Sequence, residues 1–166
     1  MRLKKYQKED SAIICSWIRD EKSLYQWSAD RIGKFPVMDN ALNENYAPMN
    51  GSDRFIPFSA YDEEDHLVGH LYIRYPDEKD DSMVRFGFVI IDPDLRGQGN
   101  GKKMLQLAIE YAKNVLYASK ITLGVFVNND PARYCYQSVG FHPVGSEIYK
   151  MSIGEWECIE MELIPE

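Results

Sequence analysis

The sequence predicts an α/β fold: a mixed, mostly antiparallel sheet flanked by helices, with one parallel strand pair. Three observations carry this. Between residues 55 and 91 the apolar residues recur with period two in three successive segments, which reads as three consecutive antiparallel strands. A strongly amphipathic helix follows the last of them. After that helix comes Ile121 to Val127, a continuous apolar run rich in β-branched residues, as in a strand buried on both faces. Strand, helix, strand is a crossover unit, and a crossover joins parallel neighbours.

In chain order, a short apolar and basic stretch around Leu3 to Tyr6 precedes a helix that Asp10 or Ser11 can cap. Its residues Ile13, Ile14, Trp17 and Ile18 fall on one helical face. Tyr25 to Tyr46, interrupted by Gly33 and Pro36, reads as one further, shorter helix with irregular ends. Phe55 to Tyr61, Leu67 to Tyr75 and Met83 to Ile91 are the three strands, and the last carries Val84, Phe86, Phe88 and Ile90 on one face. The acidic stretches Asp62 to Asp65 and Asp77 to Asp81 connect them as solvated loops. Met104, Leu105, Ala108, Tyr111, Ala112, Val115 and Leu116 draw the apolar face of the amphipathic helix. Asp130 can cap a last helix with Pro131 in its first turn, and Gly140 is placed to end it. Phe141 to Met151 and Glu155 to Ile164 close the chain as an antiparallel pair around Gly154.

A length of 166 residues, with no repeat and no linker composition, is the length of one domain, residues 1–166. The 19 Lys and Arg against 26 Asp and Glu give a net charge of −7, which argues against a nucleic-acid partner and suits a cation or amine. No stretch reaches a membrane span and no apolar run follows the basic start, so the expectation is a cytoplasmic protein without a membrane partner. Cys15, Cys135 and Cys158 are far apart, and His66, His70 and His142 lack ligand spacing, so no metal site is expected.

The chemistry is concentrated between Val89 and Lys102. A strand ends at Asp92-Pro93, and the glycine-dense loop Arg96-Gly97-Gln98-Gly99-Asn100-Gly101-Lys102 feeds the best helix of the chain. Such a place offers unpaired backbone N–H groups and the positive end of a helix dipole, so an anion is its natural occupant. A Walker loop is excluded because no Ser or Thr follows Lys102, and a dinucleotide fingerprint fails because position 102 is not glycine. What fits is Arg96-x-x-Gly99-x-Gly101, followed one strand later by Asn129, Ala132, Tyr136, Gly140 and Phe141 at the spacing Asn-x-x-Ala-x-x-x-Tyr-x-x-x-Gly-Phe. In both motifs, over about Val84 to Phe141, the chain resembles the GNAT superfamily of N-acetyltransferases.

The resemblance implies a GNAT-type sheet whose parallel pair splays where a coenzyme enters, and acetyl-coenzyme A as acyl donor. It places the pyrophosphate on Arg96, Gly97, Gln98, Gly99, Asn100 and Gly101, with Lys102 as a further contact. The pantetheine arm would lie along Val89, Ile90 and Ile91, with an amide at Ile90 or Ile91 facing the thioester oxygen. Asn129 would contact the pantetheine, and Tyr136 would be the general acid that protonates the departing thiolate. A packing role for Tyr136 beside Tyr134, and a capping role for Asn129, compete with these assignments. Some relatives carry a glutamate on the strand before the loop, whereas Arg85 to Ile90 contains no carboxylate; a water relay ending on Glu147 or Asp53 is the expectation instead. Tyr25, Trp27, Asp30, Arg31 and Phe35 lie in the region that lines the acceptor side in this superfamily. The implied partners are therefore acetyl-coenzyme A and an amine-bearing small molecule or peptide, with a homodimer also expected from the family. The alternative is an inactive coenzyme A-binding sensor or interaction domain.

Overall fold

The computed structural model describes residues 1–166. Its seven strands are β1 (Arg2–Lys5), β2 (Phe55–Tyr61), β3 (Leu67–Arg74), β4 (Met83–Ile91), β5 (Lys120–Phe126), β6 (His142–Met151) and β7 (Gly154–Leu163). They form one sheet in the order β1-β2-β3-β4-β5-β7-β6. Every neighbouring pair is antiparallel except β4 and β5. The helices are α1 (Asp10–Ser16), α2 (Glu21–Ser28), α3 (Ala41–Tyr46), α4 (Asn100–Asn114) and α5 (Asp130–Ser138). The expected mixed sheet with one parallel pair is thus present.

Two apolar layers clothe this sheet. On one face α4 and α5 pack Met104, Leu105, Ala108, Ala112 and Tyr136 against Phe58, Leu71, Val84, Phe86, Ile121 and Leu123. On the other, α1 to α3 contribute Ile14, Trp17, Leu24, Leu42 and Tyr46, which meet Tyr72, Phe88 and Ile90. Alternation of side chains along each strand supplies both layers from the same backbone.

Several local expectations are corrected. Asp10 does not cap α1: no side chain caps it, and Asp10 is buried, accepting hydrogen bonds from the Ser59 hydroxyl (2.6 Å), the Tyr61 hydroxyl (2.8 Å) and the Gln7 amide (3.0 Å). Tyr25 to Tyr46 is two helices, because Asp20 and Ser23 form a reciprocal cap that starts α2 earlier and the Gly33-Pro36 segment is not helical. Asn129, rather than Asp130, caps α5, accepting from the Ala132 amide. β5 is buried along one face, through Ile121, Leu123 and Val125, and on the other at Phe126 alone, and Val127 is exposed. Val115 lies past the end of α4 and is also exposed.

The correction with most consequence concerns β4. Val84 and Phe86 pack in the α4–α5 layer, but Phe88 and Ile90 pack in the opposite one. Between them the β3–β4 register shifts, from Tyr72 opposite Gly87 to His70 opposite Ile90, and Phe88 adopts φ +50°. An inserted bulge residue inverts the alternation beyond it, so the two halves of β4 face opposite ways. The parallel pairing of β4 with β5 is likewise limited, to Met83, Val84 and Arg85 opposite Lys120, Ile121 and Thr122. Past Arg85 the two strands diverge.

Candidate functional site

The divergence opens a cleft of about 800 Å³ that runs from the sheet to the start of α4, within the size range of small-molecule sites. Asp92 closes the strand by accepting from the Asp94 amide, and a 3-10 turn at Pro93–Leu95 leads into the loop. Gly97 and Gly99 adopt φ +73° and +79°, a backbone region that residues with a Cβ enter at a cost. Gly99 is the N-cap of α4 and no side chain caps that helix, so its first-turn amides stay open toward the cleft. Asn100 braces the loop by donating to the Leu95 carbonyl at 3.0 Å, and Arg96 Nε donates to the Ile91 carbonyl at 3.2 Å. Burial, and secondarily the nearby Arg19, lower the Arg96 pKa, yet a guanidinium remains a cation. Open amides at a helix start, two cations and glycines in left-handed conformations fit a pyrophosphate.

Of the residues singled out from the sequence, Val89, Ile90, Ile91, Arg96, Gly97, Gly99, Asn100, Gly101, Lys102, Asn129, Tyr136 and Trp27 all line this cleft. Gln98 does not, and its side chain is exposed. Tyr25 points elsewhere, its hydroxyl 2.6 Å from that of Ser152. Asp30 and Arg31 are exposed and outside the cleft, as is the half-exposed Phe35. Asp53 precedes β2 at the end of the sheet away from the loop, Glu147 sits on β6 opposite Cys158, and neither lines the cleft. Between Ile90 and Ile91 the ladder discriminates: Asp92 donates to Val68 and Ile90 stands opposite His70, which turns the Ile91 N–H toward the gap beside β5.

Tyr136 belongs at once to the α4–α5 core and to the cleft wall. Burial pushes its phenol well above the ordinary value, with Cys135 and Cys158 adding to the effect, so it is protonated at neutral pH and able to donate. Cys135 lies on the same wall, and a Cβ added to Gly101 would come 3.1 Å from its sulfur, which shows how closely α5 packs behind the loop. Asn129 lines the cleft while also capping α5, so the two readings of it are compatible.

Sequence reasoning missed how α2 crosses the gap. Trp27 packs at 5.2 Å from Phe88 on the β4 side, while Gln26 Nε2 donates to the Asn128 carbonyl (3.0 Å) and Oδ1 (3.2 Å) on the β5 side. It also missed the ion pair of Arg85 with Glu160 on β7, two parallel bonds of 2.6 and 2.9 Å. Burial works against the Arg85 charge, but the Glu160 bonds outweigh it and hold the guanidinium above its usual value. No pattern within one segment announces a pair 75 residues apart.

A glycine-capped anion loop, a splayed parallel pair and a tyrosine on the wall between them define a class of acyl-transfer fold. The profile of the acetyltransferase (GNAT) family matches residues 12–141, and the chain belongs to that family. Among relatives, the UPF0039 protein C11D3.02c of Schizosaccharomyces pombe is 34% identical over 90 residues, covering 48% of this chain and 59% of that protein. An N-acetyltransferase 9-like protein of Nematostella vectensis is 25% identical over 89 residues, covering 53% of this chain and 45% of that one. The chain thus spans about half the length of these curated relatives. A spermidine N-acetyltransferase from Vibrio cholerae, solved with CoA and spermine, superposes with a TM-score of 0.82 at 19% identity, over 99% of this chain and 95% of that one; at this identity the likeness is one of fold.

Proposed function

We propose that this chain transfers an acetyl group from acetyl-coenzyme A to a primary amine by direct attack, without a covalent enzyme intermediate. The observation that carries the reading is the convergence, in one cleft, of the uncapped α4 amides, the Ile91 N–H and the Tyr136 hydroxyl. Bound acetyl-coenzyme A supplies an activated thioester. The loop from Arg96 to Gly101, with Lys102, holds the pyrophosphate through amides and charge. The Ile91 amide, unpaired with β5, donates to the acyl oxygen as it gains negative charge. Tyr136 gives its proton to the sulfur as the C–S bond breaks, and the proton lost by the amine nitrogen returns to the phenol through water. α2, with Trp27 and the Gln26–Asn128 bridge, spans the gap between the β4 and β5 sides.

A cationic small acceptor is the class to try first. The net charge of −7 suits it, and the fold neighbour acts on spermidine. The test is release of coenzyme A thiol with a panel of polyamines, aminoglycosides, amino acids and peptide N-termini. Acceleration by at least one amine is expected. Tight binding of acetyl-coenzyme A with no accelerated release by any amine would overturn the reading in favour of a sensor domain.

A further inference from the structure

The chain as a whole is acidic, with a net charge of −7, but its cleft is not. No Asp or Glu lines it, and its charged side chains, Arg96 and Lys102, belong to the phosphate loop. Glu160 Oε1 comes within 3.2 Å of a Cβ built on Gly124, yet both carboxylate oxygens are bonded to Arg85, and the pair adds no net charge. The other titratable side chains of the wall are Tyr134, Tyr136 and Cys135. Burial raises the pKa of the last two, so neither supplies an anion at neutral pH. Nothing on this wall therefore balances an ammonium group.

Attack on a thioester needs the lone pair of the nitrogen. With no carboxylate on the wall to take the proton, an acceptor that arrives already neutral has the advantage. At pH 7 an α-amino group, of pKa about 8, is about one-tenth neutral, whereas an alkylamine of pKa about 10.4 is neutral in about one molecule in 2500. The polar side chains at the α2 end of the cleft point the same way, because they are amides rather than ions. Gln26 Nε2 is spent on the Asn128 carbonyl and Oδ1, while Gln26 Oε1 and Asn128 Nδ2 take part in no hydrogen bond of the chain. Both residues line the cleft. One free acceptor and one free donor suit an amide on the incoming molecule, and a bare alkyl chain can use neither.

Resting on the acetyl-transfer reading above, we propose that the acceptor is an α-amino group joined to an amide, as in an amino-acid amide or the N-terminus of a short peptide, with Gln26 and Asn128 hydrogen-bonding that amide. Such a molecule is a small cation in solution, with one charge where a polyamine has several. The test compares alaninamide with spermidine and with the side-chain amine of Nα-acetyl-lysine amide, by thiol release at pH 7 and saturating acetyl-coenzyme A. Expected is a kcat/KM for alaninamide about a hundredfold or more above that of either alkylamine, rising with pH and levelling near pH 8, about the pKa of the α-amine. Gln26→Glu keeps the side-chain shape and puts a carboxylate on the wall, which should cut this preference about tenfold by stabilising and deprotonating the ammonium in place. An unchanged preference in that variant would overturn the placing of the amine beside α2. A wild-type protein that acetylates some other amine at least as well as alaninamide would overturn the α-amine assignment and leave acetyl transfer standing. One that binds acetyl-coenzyme A and acetylates no amine would overturn the underlying reading as well.

Discussion

The two sides of the sheet are built on different principles. The α4–α5 side is one continuous apolar layer, with α4 running 15 residues from the glycine loop. The α1–α3 side uses three helices of six to eight residues, tied by polar bonds and aromatic edges: Asp10 to Ser59 and Tyr61, Tyr46 to His70, Tyr46 and Tyr72 against Phe88. A long amphipathic helix fixes a phosphate loop to within its own rigidity. Short helices held by individual bonds are easier to exchange one at a time than a long one. Under the proposed function, the difference would let one fold keep donor binding constant while leaving acceptor binding open.

The sharpest way to separate the sides is Tyr136→Phe. Turnover is expected to fall about a hundredfold, the usual worth of a general acid, while the acetyl-coenzyme A affinity from calorimetry stays within about twofold. Unchanged turnover would reduce Tyr136 to a core residue. Next, Arg96→Ala should weaken acetyl-coenzyme A about ten- to a hundredfold by removing charge-assisted bonds, with the amine KM unaltered; a shift in amine KM instead would break the division of labour.

On the other side, burial holds His70 neutral and takes its pKa down to about 3, with Nε2 at 2.7 Å from the Tyr46 hydroxyl. The unfolded chain binds this proton from about pH 6.5 downward, and the folded chain does not until about pH 3. This contribution to stability is therefore complete above about pH 6.5 and is lost progressively on acidification, with a slope of up to one proton. Urea unfolding between pH 7 and 4 should show it, and His70→Gln should flatten that limb relative to wild type. Equal slopes in the two proteins would exclude His70 as the source. The smallest effect belongs to Gln26→Ala, which removes exposed bonds and should cost less than about 1 kcal/mol. Amide exchange in α2 should quicken while α4 stays protected; uniform exchange would mean that α2 is not a separable unit.

How much of this could be read beforehand follows the same divide. Period-two strands, the amphipathic α4 and the pair of motifs from Arg96 to Phe141 are local signals, and the three antiparallel strands, the β4–β5 crossover, the family and most of the cleft lining came from them. The α1–α3 side resisted. Asp10 resembled a cap because an acid before an apolar helix ordinarily is one, whereas its partners Ser59 and Tyr61 are about fifty residues away. The β4 bulge hid inside an unbroken alternation of Val84, Phe86, Phe88 and Ile90, because hydrophobicity does not record which face a side chain takes. Arg85 and Glu160 meet beside Gly124 of β5, whose missing side chain leaves room for the pair.

The bulge at Phe88 has a corollary for anyone rewriting this strand. Because it reverses parity midway, β4 is two short words read in opposite frames: odd and even positions exchange meaning at Gly87. A substitution set designed on one uninterrupted alternation would send Phe88 and Ile90 into the wrong layer while leaving Val84 and Phe86 correct. Deleting a single residue there would restore the regular pleating of β4 against β3 and turn the end of the strand to its other face.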